Sequence, residues 1–295
     1  MVVLFAGALG DLLLALPALR VLRRRHQRQR LVLGVRAPLV ALARRAACAD
    51  GVAALDEPSM AVLLGGGGAP AWWPEQPMLY SWFGADDADV RRCLAAHAAD
   101  VSFLRVERGE GTPHAAGAYA AAVGVSLSWE ELVPLGRIPH GEQVATRGVP
   151  QLVVHRGAGA AAKRWDAEGF AEVAGWWRAR GGEVVDLLGP AEESLAPLPD
   201  ARTLRDVSLA EVVEALAGAA AYVGNDSGPS HLAGALGIAG VVLFGPTDPA
   251  RWRPLSARLD VRRAPADAWM PDGFRLPPAR DVVRSLARGA YLDTL

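Results

Sequence analysis

The chain has 295 residues, 51% of them apolar, enough for two buried cores of about 150 residues each. Its 31 basic and 32 acidic side chains leave a formal charge of −1, so no global field draws in nucleic acid and any anion site must be local. The two cysteines, Cys48 and Cys93, lack metal-ligand spacing, which argues against a disulfide scaffold and fits a reducing, cytoplasmic setting.

Gly7, Gly10, Asp11, Pro17 and Arg20 interrupt the apolar stretch Val2–Leu22, and no basic segment precedes it, so neither a membrane span nor a signal peptide is expected. Val2–Ala6 reads as a strand and Asp11–His26 as a helix burying Leu12, Leu16, Leu19 and Leu22. Further strands are expected at Leu31–Val35, Ala61–Leu64 and Met78–Trp82, and helices near Pro38–Ala46, Asp87–Ala99 and Pro113–Val123. From Leu132 to Pro150, Pro134, Pro139, Pro150 and several glycines leave no sustained period, as in a linker. The expected domains are therefore 1–148 and 149–295. The second opens with a strand at Gln151–His155. Helices follow at Ala167–Arg180, Ser208–Ala219, Gly228–Leu236 and Ala279–Arg288, and strands at Glu183–Leu188, Ala221–Gly224 and Gly240–Phe244, with an irregular stretch from Pro265 to Pro277. Short apolar runs alternating with helical periods predict an α/β fold, parallel sheets covered by helices.

Three strand-to-loop segments carry chemistry. Gly7-Ala8-Leu9-Gly10-Asp11 lets the backbone turn tightly and sets a carboxylate where a helix amino end favours one; an ordinary N-cap explains Asp11 equally simply. G-x-G-x-x-G is missing there, which disfavours a nicotinamide oxidoreductase. Asn225-Asp226-Ser227-Gly228-Pro229-Ser230-His231 leads from a strand into an apolar helix, so Ser227 and Gly228 offer a hydroxyl and backbone N–H groups to a diphosphate, with His231 one turn further on. The plainer reading is a capped helix. His155-Arg156-Gly157-Ala158-Gly159 with Lys163 joins small residues to a compact cation, a phosphate cradle or simply a flexible loop.

Together these segments resemble glycosyltransferase family 9, the heptosyltransferases. Gly10-Asp11 with the following Leu12-Leu13-Leu14-Ala15-Leu16-Pro17 is similar to the family's first strand-to-helix segment. Asp226–Ala233 with Leu243-Phe244-Gly245-Pro246-Thr247-Asp248-Pro249 is similar to its donor-site signature, and His155-x-Gly-Ala with Lys163-Arg164-Trp165 to a looser third motif. The resemblance implies a GT-B architecture of two facing Rossmann-like domains with parallel sheets, acceptor on the first and donor on the second. It implies inverting transfer of a heptose or related sugar from a nucleotide-diphosphate donor such as ADP-heptose to a cell-envelope glycan or glycolipid, without metal or other cofactor. The base is carried over to Asp11, and donor contacts to Lys163, Asp226, Ser227, Gly228 and His231, with Glu192 placed at the nucleoside ribose. Phe5 and Arg156 depart from the pattern, standing where members often carry a basic residue and a proline. A sugar-nucleotide epimerase or hydrolase of this fold, and an inert nucleotide-sugar-binding protein, are the alternatives.

Weaker signals have plain explanations. Asp87-Ala88-Asp89 has the spacing of the metal- and nucleotide-binding carboxylate pair of the other large glycosyltransferase fold, but it opens a helix and reads as a cap. Arg20, Arg23, Arg24, Arg25, Arg28 and Arg30 read as helix-end cations on a solvated face, with peripheral contact to anionic lipid at the inner membrane face, or to a phosphorylated acceptor, as the alternative. Trp72-Trp73 fits loop packing, against sugar stacking or membrane insertion, and Trp176-Trp177 a helix core. His114 reads equally as a cap, a surface residue or a side chain in the active site.

Overall fold

The computed structural model describes residues 1–106, 113–140, 149–189, 192–275 and 279–288. The chain divides into two compact units, Met1–Ile138 and Pro139–Leu295.

The first unit alternates β1 (Val2–Phe5), α1 (Leu9–Arg25), β2 (Val32–Val35), α2 (Val40–Arg45), β3 (Gly51–Ala54), α3 (Pro58–Leu64), β4 (Met78–Ser81), α4 (Ala88–Ala96) and β5 (Asp100–Phe103), then α5 (Ala115–Ala122) and α6 (Trp129–Leu135). Its five strands are parallel in the order β3-β2-β1-β4-β5. The central strand β1 is buried along its whole length, because helices on both faces leave no room for polar alternation. Ala61–Leu64, expected as a strand, belongs to α3: Pro58 suits the first turn, and Met60 and Leu63, three apart, are the buried pair. Leu132–Leu135, expected as linker, ends α6. Ser128 and Glu131 form a reciprocal cap there, the Ser128 N–H donating to Glu131 Oε2 at 2.8 Å and the Glu131 N–H to Ser128 Oγ at 3.3 Å. Arg20 then donates to the carbonyls of Leu135 and Arg137, so the chain stays on the first unit to Ile138. The expected boundary at 148 lies outside the described residues.

Asp87 caps α4, accepting from the Asp89 and Val90 N–H groups, and His114 caps α5. Trp73 is buried and Trp72 packs beside it, their indole N–H groups donating to the His97 carbonyl and to Glu57, so this pair is loop packing. Arg20 is thus half-buried, Arg23 pairs with Asp50 at 2.9 Å, and Arg24, Arg25, Arg28 and Arg30 are exposed.

The second unit runs β6 (Gln151–His155), α7 (Ala167–Arg178), β7 (Glu183–Leu188), β8 (Arg202–Arg205), α8 (Leu209–Ala217), β9 (Ala221–Asn225), α9 (Gly228–Leu236), β10 (Gly240–Phe244), α10 (Pro249–Trp252) and β11 (Leu259–Arg263). A hairpin of β12 (Trp269–Met270) and β13 (Gly273–Phe274) and the helix α11 (Ala279–Arg288) complete it. Six strands form one parallel sheet, β11-β10-β9-β6-β7-β8. Its core gathers Leu152, Val154, Val223, Val241 and Leu243 from the sheet with Phe170, Val173 and Trp177 from α7. Trp177 is core as expected, whereas Trp176 is half-buried under the Arg180 guanidinium. The hairpin lies in the stretch expected to be irregular, and it matters for the site: Phe274 N–H donates to the Arg164 carbonyl at 2.9 Å, and a side chain at Gly273 would collide with that oxygen. Both units are α/β with parallel sheets between helices, as expected. Among the described residues no helix is long and apolar enough to cross a membrane.

Candidate active-site residues

In the second unit, strand order reverses direction between β6 and β9, and open parallel sheets place their ligands beyond the carboxyl ends of such strands. The loops after β6, β9 and β10 meet there. Lys163 follows β6, and its ammonium donates to Asp226 Oδ2 at 2.9 Å; Thr247, after β10, donates to the same oxygen at 2.8 Å. Asp226 is buried, so its charge requires these partners. Ser227 precedes α9 but does not cap it; its hydroxyl lies 3.1 Å from His155 Nδ1. The amino end of α9, opening at Gly228, thereby lacks a side-chain cap, and Pro229 has no N–H to satisfy.

Asn225 fixes this arrangement from below. Fully buried at the end of β9, it donates from Nδ2 to the Arg156 carbonyl at 2.8 Å and accepts the Trp165 N–H at 3.0 Å, clamping both ends of the Lys163 loop. The β12–β13 hairpin holds the same loop at Arg164. Thr247 and Asn225 were missed as site residues, although both lie within or beside the quoted motifs; their roles depend on contacts across strands that sequence spacing does not show.

Glu192 and His231 are placed differently. Glu192 is buried, accepting the Gly189 N–H at 2.9 Å, with His155 Nε2 and Arg164 each 3.9 Å from its oxygens. A Cβ on Gly157 would come within 2.2 Å of that carboxylate, so this glycine is required for the close approach. His231 is buried one turn into α9. Burial, reinforced by the Arg156 and Arg164 charges, pushes His155 down to about 4, so its imidazole is neutral at pH 7. Arg156, the departure from the proline pattern, makes a buried two-pronged ion pair with Asp186 on β7, at 3.1 and 2.7 Å.

In the first unit, Asp11 is not the N-cap. Ala8 holds that position, and Asp11, in the first turn of α1, accepts the Ala8 N–H through Oδ2 at 3.3 Å while Tyr119 donates to Oδ1 at 3.4 Å. Asp11 lines a pocket of about 710 Å³ with Phe5, Gly7, Trp82, Arg105 and Tyr119, beyond the carboxyl ends of β1, β4 and β5.

Residues 135–272 match the model of glycosyltransferase family 9 (heptosyltransferase). Over 111 residues the chain is 38% identical to lipopolysaccharide heptosyltransferase 1 of Pseudomonas aeruginosa, a match covering 36% of this chain and 31% of that protein, or about a third of the relative's length. Among solved structures, the Escherichia coli ADP-heptose lps heptosyltransferase II superposes with a TM-score of 0.75 at 20% identity, covering 100% of both chains. The glycosyltransferase family 9 protein of Veillonella parvula gives 0.77 at 19% identity, covering 98% of this chain and 96% of its own. The structural likeness extends over both units and the sequence match is centred on the second; the chain is similar to glycosyltransferase family 9, the heptosyltransferases, in sequence over residues 135–272 and in fold over both units.

Proposed function

We propose that the chain transfers a heptose or related sugar from a nucleotide-diphosphate donor, ADP-heptose in type, to a hydroxyl of a cell-envelope glycan or glycolipid on the cytoplasmic side. The observation that carries the reading is the uncapped amino end of α9 with Lys163, Ser227 and Thr247 beside it, an anion site at the switch point of the second sheet. The Escherichia coli neighbour is an ADP-heptose lps heptosyltransferase, which motivates ADP-heptose as the donor type.

Asp11 takes the proton of the acceptor hydroxyl as that oxygen attacks the anomeric carbon. The bond to the diphosphate breaks on the opposite face, so the centre inverts. Backbone donors at Ser227 and Gly228 and the Lys163 ammonium take up the charge developing on the leaving diphosphate, without metal. Asp226 contributes by aiming Lys163 and Thr247, because a carboxylate does not itself bind a diphosphate. His231 backs the α9 turn, and Glu192, beside Gly189, is assigned to the ribose. The exposed Arg24, Arg25, Arg28 and Arg30 supply charge for a peripheral contact with anionic lipid.

Calorimetric titration of ADP in excess EDTA tests the donor site. The wild-type chain binds ADP, and Lys163→Ala weakens binding by roughly tenfold or more, the worth of a charged hydrogen bond. Equal affinity in the two proteins contradicts the assignment.

A further inference from the structure

We infer that the pocket of the first unit receives a sugar ring bearing neither phosphate nor carboxylate, an inference that rests on reading this unit as the acceptor side. Its volume, about 710 Å³, falls within the range of small-molecule sites. One wall is aromatic: Phe5, Trp82 and Tyr119 pack on one another with ring centroids 5.6 to 6.0 Å apart. Phe5 and Tyr119 are buried, and half-buried Trp82 leaves ring surface for the C–H face of a pyranose.

The polar lining is acidic. Asp11, Asp86 and Asp87 are its carboxylates, and Arg105 is the cation among the described lining residues. That guanidinium donates to Asp86 at 2.8 Å and to the Ala85 carbonyl at 2.9 Å. Two helices, α1 and α4, direct their amino ends here, which elsewhere would attract an anion. Each end carries a carboxylate of the chain, Asp11 accepting the Ala8 N–H before α1 and Asp87 capping α4 through those of Asp89 and Val90. The first turn of α9, by contrast, holds no acidic residue. A phosphate or carboxylate entering the pocket meets three carboxylates against one guanidinium among the described lining residues, whereas sugar hydroxyls donate to all three carboxylates.

Ligand-observed NMR titrations of the whole chain with methyl α-mannopyranoside, its 6-phosphate and methyl β-glucuronide test this. At low salt the neutral glycoside should bind, with both anions weaker by about fivefold or more, a gap that narrows at high salt because Asp86 and Asp87 are exposed. Asp86→Asn with Asp87→Asn should narrow it too; Asn caps helices as well as Asp, so α4 is retained. Trp82→Ala should weaken the neutral glycoside. Either anion binding as tightly as the neutral glycoside at low salt, or no glycoside binding, overturns the inference. An ADP titration on the same preparation separates the two readings: ADP binding without preference for the neutral glycoside overturns this inference alone, and loss of ADP binding with the preference intact overturns only the donor site.

Discussion

One oxygen of Asp11 accepts the Ala8 N–H while the other receives the Tyr119 hydroxyl. Asp11→Asn keeps an oxygen for the first task and removes the proton acceptor. It should lower turnover by on the order of 10²–10⁴ with donor affinity and melting temperature unchanged, read by initial rates, calorimetry and calorimetric melting on one preparation. Turnover near wild type would leave Asp11 as a cap-forming residue only. Arg156 is a structural counterpart: Arg156→Met strands Asp186, whose Oδ2 also accepts the Leu198 N–H at 2.9 Å, and should cost about 3–5 kcal/mol in urea unfolding. Adding Asp186→Leu should recover much of that loss, since no buried charge remains; failure to recover would show that the pair does more than neutralise itself. Asp11, Lys163 and Ser227 are candidates visible in the sequence because each sits in a strand-to-loop motif. The Arg156–Asp186 pair could not, because it joins neighbouring strands thirty residues apart.

The four sheet strands that periodicity missed, β3, β5, β8 and β11, are the four sheet edges. Central strands announce themselves as continuous apolar runs such as Val2–Phe5 and Gly240–Phe244, whereas Arg202–Arg205 and Leu259–Arg263 carry the charges that keep an edge from pairing with another chain. Readability of the fold thus tracks burial on both faces, and β1, β6, β9 and β10, all central, were readable. At the end of β6, His155 makes the second unit sensitive to acid. Its folded value of about 4 lies below its ordinary 6.5, so the unfolded chain binds the proton first as pH falls. The contribution is complete above pH 6.5 and is lost progressively down to about pH 4, roughly 3 kcal/mol in all. His155→Gln should flatten that part of the stability profile measured by urea unfolding between pH 7 and 4; an unchanged slope would place the acid sensitivity elsewhere. Gly157→Ala should displace Glu192 and weaken binding of ADP more than of inorganic diphosphate, as a ribose contact requires, and equal loss for both would remove Glu192 from the ribose.

For the molecule as a whole, the two units divide the chemistry: the first sheet carries a carboxylate in an aromatic, acidic pocket, and the second carries a cation and an uncapped helix end. This division follows from placing the same strand-to-helix turn in different company. After β1 the first helical turn carries Asp11, and after β9 it carries no acidic residue and the preceding serine turns toward His155. The motifs in the sequence made the Lys163 and Ser227 loops of the second unit easy to read; the pocket of the first unit draws Trp82, Arg105 and Tyr119 from separate elements, and no local pattern joins them. The most direct measurement is transfer from ADP-heptose to a neutral glycoside acceptor in excess EDTA, following release of ADP and the anomeric configuration of the product. The account predicts acceptor-dependent release of ADP, an inverted product and full rate in EDTA. Release of ADP that does not depend on acceptor, a retained configuration, or activity restored only by Mg²⁺ or Mn²⁺ would contradict it.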